Sequence, residues 1–480
     1  MRRRPWLKPL VLLVLIAFLV PIVFQIATGL RRSSESAKST QKGIDERCEE
    51  LSDRLSDVLG RFVSEFDGVD VLRAEQLPAL PSIPELRTES KLVRDRLTSE
   101  GCNLRTVAKA LRKRTAGRPS AGLLADTVRR TVVANLVHVL DGEPIATRTT
   151  SLKPGEDLGK VVSGLPAGSV VRLPAGNTRM DEPVVLLQDV SLVGAGRGST
   201  RIVSTARGAA VVLTAPGTAV VEDLTLTHEG DSSASLLLVR AGRMKLDGVH
   251  VTGASLGGRS PAEQPDSPRI GGSGIVLDGG DGLSVTRSLI TDNDVAGMLV
   301  SGSGRPVLSE VTITDNGTCG LCFLGSTTGT VTSSIISDNG VGVLATDRAA
   351  PTIEETQISG NTRAGAVAQK RSHPTLRDVM LVSNGPQGLA AFNNASPRLI
   401  DSVVTDHSES GVAVDVGSSA SPQIRGSTFR KNSKAAMAFI GGGKGRVSSN
   451  RCSGGRFQIV LDGTAAPVLS DNRCDVLDQR

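Results

Sequence analysis

The feature that most limits what this chain can fold into is a repeat. Asn293, Asn316, Asn339, Asn361 and Asn384 follow one another at intervals of 23, 23, 22 and 23 residues. A glycine stands three or four residues after each: Gly297, Gly320, Gly342, Gly365 and Gly388. Each glycine opens a short apolar run, as in Met298-Leu299-Val300, Leu321-Cys322-Phe323 and Val343-Leu344-Ala345. A second run per unit appears in Val311-Thr312-Ile313, Ser334-Ile335-Ile336 and Val379-Met380-Leu381. Later units, at His407 with Gly411 and at Asn432 with Ala436, keep the pattern imperfectly. Two or three short strands and one Asn turn make a single rung of a coil. Such a rung cannot bury its apolar face alone, so neighbouring rungs must stack on it. Composition suits a narrow core: there are 53 glycines, aromatics are 2% and tyrosine is absent.

The repeat is preceded by Leu165-Pro166-Ala167-Gly168-Ser169-Val170-Val171-Arg172-Leu173-Pro174-Ala175-Gly176 and then Val190-Ser191-Leu192-Val193-Gly194-Ala195-Gly196. With these two segments the chain from about residue 150 onward resembles the right-handed parallel β-helix proteins of pectin-lyase-like type. Pectate lyases, polygalacturonases, mannuronan epimerases and non-enzymatic repeat proteins share that fold. The resemblance implies an all-β right-handed parallel β-helix with rungs of 22–23 residues, and it is specific for fold rather than chemistry. The Gly-His-Gly and Arg-Ile-Lys segments of polygalacturonases and the Asp-Pro-His-Glu motif of the epimerases are absent.

Three domains are expected: 1–43, 44–147 and 148–480. The first carries eight basic residues against Glu35, whereas 44–147 hold 16 basic and 17 acidic groups and 148–480 hold 31 of each. The net charge of +6 therefore belongs to the N-terminus, and the neutral remainder has no net field to draw in nucleic acid. An apolar run from Leu10 to Leu30, broken only by Pro21, Gln25, Thr28 and Gly29, is long enough to cross a bilayer as a helix. A cleaved signal peptide shares the basic start, but this run exceeds a usual signal core and no small-x-small site follows it. The expectation is a single-pass signal anchor with the C-terminal body outside the cytoplasm. Residues 44–147 then read as a helical neck. Apolar positions keep helical spacing from Ile44 to Phe66, from about Leu92 to Arg114, and in a third segment that begins near Pro119 and places Leu123, Leu124, Val128, Val132, Leu136 and Val139 on one side. The prolines at 78, 81 and 84 end the first helix, and Gly101 is a candidate break in the second.

Six cysteines suit an oxidising compartment. Cys48 and Cys102 are candidates for a bridge within the neck. Asn450-Arg451-Cys452 recurs as Asn472-Arg473-Cys474 one rung later. Adjacent rungs lie about 4.8 Å apart, which a disulfide can span, so Cys452 and Cys474 are expected to be bonded or stacked. Cys319 and Cys322 share a rung with a repeat glycine and are read as structural, since no helix follows as redox CxxC chemistry requires.

Two sets of residues could carry a ligand. Asp292, Asp315 and Asp338 precede the Asn column and could hold Ca²⁺, although Asp and Asn also stabilise tight turns. The Gly253–Gly272 insertion is too long for a rung turn and carries Arg259, Glu263, Asp266 and Arg269 as candidate binding residues. No catalytic residue is assigned and no cofactor is expected apart from that calcium. The five histidines share no common column. The overall reading is a non-enzymatic binding or scaffolding protein for envelope polysaccharide or envelope proteins. The alternative is a Ca²⁺-dependent polysaccharide lyase or uronate epimerase.

Overall fold

The computed structural model describes residues 41–73, 83–116, 121–142, 148–214, 216–258, 271–280, 282–414 and 419–480. The segment Leu10–Leu30 lies outside them, and among the described residues no helix is long and apolar enough to cross a membrane. The chain divides into two compact units. The first comprises residues up to Val171 together with 185–191 and 214–219; the second comprises the rest.

The first unit is built on helices α1 (Gln41–Ser64), α2 (Ile83–Ser99), α3 (Leu104–Ala116), α4 (Leu123–Leu140) and the short α5 (Leu158–Ser163). The break expected at Gly101 separates α2 from α3, and Gly101 takes the positive φ of 79° that a non-glycine residue resists. Where periodicity first shows near Leu92, the helix in fact begins at Ile83. Pro84 falls in its first turn, where a missing N–H costs nothing. Leu97, Val107, Ala108, Leu111, Leu136 and Leu140 form the core, flanked by Leu51, Leu55 and Leu59 of α1. The Cys48–Cys102 disulfide ties α1 to the α2–α3 turn with Cα atoms 5.6 Å apart. Arg114 reinforces the α1–α3 contact through Glu49 at 3.3 Å and Asp53 at 3.0 Å.

A buried amide pair fastens α4 to the segment 185–191. Asn135 Nδ2 donates to Gln188 Oε1 at 2.7 Å, and Asn135 Oδ1 accepts from the Ala167 N–H at 3.0 Å. Gln188 Nε2 in turn donates to the Leu165 carbonyl at 2.6 Å. Both amides are at most 5% exposed, so each bond satisfies a group that burial would otherwise penalise.

The second unit is the coil. In one representative rung, Ser273–Asp278 lies in sheet I, Gly282–Thr286 in sheet II and Leu289–Thr291 in sheet III. Each strand pairs in parallel with its equivalent in the next rung, as Ser273–Asp278 does with Ala296–Ser301. Sheet III runs unbroken through twelve such strands, from Gly176–Met180 to Arg451–Ser453. Single aliphatic columns fill the interior. Ile290, Ile313, Ile336 and Ile358 stack in sheet III, Met298, Leu321 and Val343 in sheet I, and Leu308, Val331 and Ile353 in sheet II. All are at most 1% exposed. Full burial contributes roughly 1.5–3 kcal/mol per aliphatic side chain. A column of equal-sized residues keeps that gain the same in every rung.

The repeat asparagines occupy the inside of the turn from sheet III to sheet I, and none of the five is more than 1% exposed. Asn293 Nδ2 donates to Asn316 Oδ1 at 2.8 Å, Asn316 to Asn339 at 2.9 Å, Asn339 to Asn361 at 3.0 Å and Asn361 to Asn384 at 2.7 Å. Each Oδ1 also accepts the backbone N–H of the preceding asparagine, as Asn339 does from Asn316 at 3.0 Å. The repeat glycines face this ladder. A Cβ on Gly297 would lie 3.0 Å from Asn316 Nδ2 and 2.7 Å from Ile313 Cγ2, and one on Gly320 would lie 2.9 Å from Asn339 Nδ2. The co-occurrence of Asn and Gly is thus one steric fact.

His407 takes the next place in the ladder. Its Nε2 lies 3.3 Å from Asn384 Nδ2 and its Nδ1 lies 2.8 Å from Asn432 Oδ1. A neutral ring protonated at Nδ1 satisfies both contacts, whereas a second proton would meet an amide donor. Burial holds the His407 pKa below its ordinary value.

At the C-terminal edge Cys452 follows Phe429 in the inward column of sheet III. It is bonded to Cys474 with Cα atoms 5.0 Å apart. Cys319 and Cys322, both buried, are also bonded to each other within strand Cys319–Phe323.

Two outcomes are expected. Asn339→Leu strips the Asn316 backbone N–H of its partner and should cost about 1–3 kcal/mol in urea unfolding. Because the folded state favours neutral His407, its contribution is complete above the free-imidazole pKa and is lost as pH falls below it toward the lowered folded value. His407→Asn restores the ladder and should shrink the fall in Tm between neutral and mildly acidic pH. His228 and His250, whose pKa values burial also lowers, retain the rest of the slope.

Candidate functional site

The outer face of sheet III carries a register of hydroxyl side chains. In each three-residue strand the central residue points inward. The third positions align Thr227, Thr252, Thr291, Thr314, Ser337 and Ser359 across six successive rungs. Thr227 and Thr291 are buried, and Thr252, Thr314, Ser337 and Ser359 are partly exposed. Neighbours communicate directly, Thr291 Oγ1 lying 3.4 Å from Thr252 Oγ1 and Ser337 Oγ 3.2 Å from Thr314 Oγ1. β-Branched threonine suits a strand surface and presents its hydroxyl without a long flexible arm.

The column begins at a cleft of about 340 Å³ lined by Asn177, Arg197, Arg201, Thr225, His250 and Thr252. Arg201 Nη2 lies 3.5 Å from Thr227 Oγ1, and Arg197 Nη1 donates to the Arg287 carbonyl at 3.4 Å. His250 Nε2 lies 2.9 Å from Thr291 Oγ1. Burial, with the charges of Arg197 and Arg201, pushes the His250 pKa down, and Asp292 opposes them in part. The ring is therefore neutral at neutral pH, leaving the two guanidinium groups as the positive charges of the cleft. The arrangement can hold hydroxyl groups along the column and an anionic substituent at its head.

Asp292, Asp315 and Asp338 border this face. All three adopt left-handed backbone conformations, with φ of 54°, 57° and 55°, at the corner where sheet III turns toward sheet I. Asp tolerates that region better than most residues. Gly360, with φ of 64°, replaces it in the next rung, and a Cβ there would meet Asp338 Oδ1. The Asp315 carboxylate accepts from Thr314 Oγ1 at 2.9 Å. Among the described residues no group of three or more His, Cys, Asp and Glu side chains is placed to hold a metal ion. Arg259, Glu263, Asp266 and Arg269 lie outside the described residues.

The hydroxyl column and the Arg197–Arg201–His250 cleft were not singled out from sequence. The threonines were hidden because short strands normally contain them. A period-23 comparison of third strand positions would have shown the column, but nothing local in Arg197 or His250 marks the cleft.

Residues 273–421 match the family model described as right handed beta helix region. This chain is a right-handed parallel β-helix protein. Its coil is similar to the catalytic unit of a thermostable GH87 alpha-1,3-glucanase from Streptomyces thermodiastaticus strain HF3-3. That likeness has 16% identity and a TM-score of 0.52 and covers 69% of each chain. The mannuronan C-5 epimerase AlgE4 A-module of Azotobacter vinelandii aligns at 18% identity and a TM-score of 0.43, over 62% of this chain and 91% of the other. No curated protein sequence matches the chain.

If Asp315 serves the turn, Asp315→Gly should leave Tm unchanged or slightly higher. Asp315→Val, forced into a left-handed conformation, should cost about 1–2 kcal/mol. Thermal melts of the two variants check this.

Proposed function

We propose that this protein is a membrane-anchored, extracytoplasmic and non-enzymatic binder of a linear envelope polysaccharide, held along the outer face of sheet III. The observation that carries the reading is the register of hydroxyl side chains on sheet III, partly exposed at Thr252, Thr314, Ser337 and Ser359, with a cationic cleft at its head. Sugars offer matching hydroxyls, and many weak bonds in register make a usable contact without aromatic platforms. The coil is shared with a protein named as an alpha-1,3-glucanase, which makes polysaccharide the first ligand class to test. The apolar run Leu10–Leu30 supplies the anchor in this reading, and the neutral body gives no net field that would draw in nucleic acid.

One observation favours the second reading, a Ca²⁺-dependent lyase or epimerase. Asp292 directly follows Thr291, whose hydroxyl lies 2.9 Å from His250 Nε2, so an acid and an imidazole stand at neighbouring positions of one face.

Affinity electrophoresis of the full chain in gels containing alginate, polygalacturonate or α-1,3-glucan tests the proposal. At least one gel should retard the protein, and Arg201→Ser should weaken an acidic ligand about tenfold through loss of a charged hydrogen bond. Unretarded migration in all three gels would overturn the reading. Unsaturated or epimerised products appearing by NMR only with Ca²⁺ would replace it with the enzymatic one.

A further inference from the structure

Along much of the coil, exposed cations are neutralised by an acid in the neighbouring rung. Arg287 pairs with Asp247, Lys370 Nζ with Asp347 at 2.7 Å and Arg377 Nε with Glu354 at 3.6 Å. Residues 416–461 depart from that rule. They hold eight Lys and Arg residues and no Asp or Glu, so the balance of 31 and 31 over 148–480 conceals a cationic end. Among the described residues Lys434, paired with Glu409, is the only one of the eight in an ion pair. Arg425 and Arg446 lie on sheet II, and Arg430 and Arg451 on sheet III. All four are exposed, while Ile424, Phe429 and Val447 beside them are fully buried. Arg473, also exposed, is bridged in parallel to Arg451, so two guanidinium groups stand on directly opposed residues, which repel. The neighbouring acids Asp401, Asp406 and Asp471 sit in left-handed turns, and Asp406 accepts from Thr405 Oγ1 at 2.7 Å rather than from an arginine.

The surroundings of these arginines narrow the ligand. A guanidinium fork matches the two-oxygen edge of a carboxylate, and the Thr428, Ser448 and Ser453 hydroxyls among them suit the hydroxyls of a sugar. The cations occupy two faces that meet at Gly426, where φ is 66°. A flat bilayer cannot reach both faces, whereas a flexible chain can pass round the edge. The outer strand positions of these rungs on sheets II and III carry no aromatic ring, on which the bases of a single-stranded nucleic acid would stack. In sheet III the strand Thr428–Arg430 lies nine strands beyond Thr200–Ser204, roughly 43 Å away at about 4.8 Å per strand. The cluster is therefore separate from the Arg197–Arg201 cleft.

We propose that the outer surface of the last rungs, around Arg425, Arg430 and Arg451, is a second site that binds the carboxylates of an acidic polysaccharide. For its ligand class this rests on the polysaccharide reading above, but the residues are different ones. Calorimetric titration of the full chain carrying Arg201→Ser with tetragalacturonate, too short to span both sites, tests it. Saturable binding is expected, weakened about tenfold when Arg430→Gln and Arg451→Gln are added. Lys245→Gln, which removes an exposed charge seven strands before Gln423–Arg425 in sheet II, should leave affinity unchanged. Replacing Arg430 and Arg451 relieves like-charge repulsion, so Tm should stay the same or rise slightly. Tetragalacturonate that binds the unmodified protein but not Arg201→Ser would overturn this site alone. Lack of binding to either, or equal weakening by Lys245→Gln, would also overturn it, and a fall in Tm would make the arginines structural. Tighter binding of a thymidine oligonucleotide, lost with Arg430→Gln and Arg451→Gln, would replace the polysaccharide with nucleic acid.

Discussion

From Asn293 onward the rungs of the coil depend on the asparagine ladder and the glycines that make room for it. A turn that closes a rung leaves backbone donors and acceptors pointing inward, where no water reaches them. The side-chain amide carries one donor and one acceptor group at the right reach, so each asparagine satisfies the turn above and is satisfied by the turn below. Only a residue without a Cβ fits opposite, because Gly297 and Gly320 already lie at the contact limit of Asn316 and Asn339. The aliphatic columns supply most of the burial, but the ladder sets their register. A slip of one residue would place an amide against isoleucine and turn every side chain to the wrong face.

That rigidity leaves the outer positions of sheet III a smaller part in stability. Positions such as Thr252, Thr314 and Ser359 are partly exposed and can be chosen for what they display. The helical unit is built on the opposite plan. Its charged residues, Arg114 against Glu49 and Asp53, and Arg129 against Asp126, are part of how the helices are held.

The coil was legible in the sequence because its cause is periodic. Asn, Gly and the apolar runs recur every 22–23 residues, and the Asn450-Arg451-Cys452 echo placed the last disulfide by register alone. The helices of the neck were legible from their spacing, apart from the start of α2, which follows directly on the proline-broken stretch 78–84. Asn135 and Gln188 left no trace, since two amides 53 residues apart meet only after folding. The same holds for the cationic cleft at His250. Arg197 and His250 come from different rungs, so their convergence is a product of topology. The aspartates were visible, yet the left-handed backbone that accounts for them was not.

Translational symmetry gives the sheet III face a property that single pockets lack. A polymer bound along this face as proposed would meet the same chemistry after a shift of one rung, giving several overlapping registers. Such degeneracy would add favourable entropy to binding and let a chain creep along the surface without letting go. The sameness ends where Arg197, Arg201 and His250 interrupt it. At that point the face gains a polarity, with one end at which a travelling chain would halt.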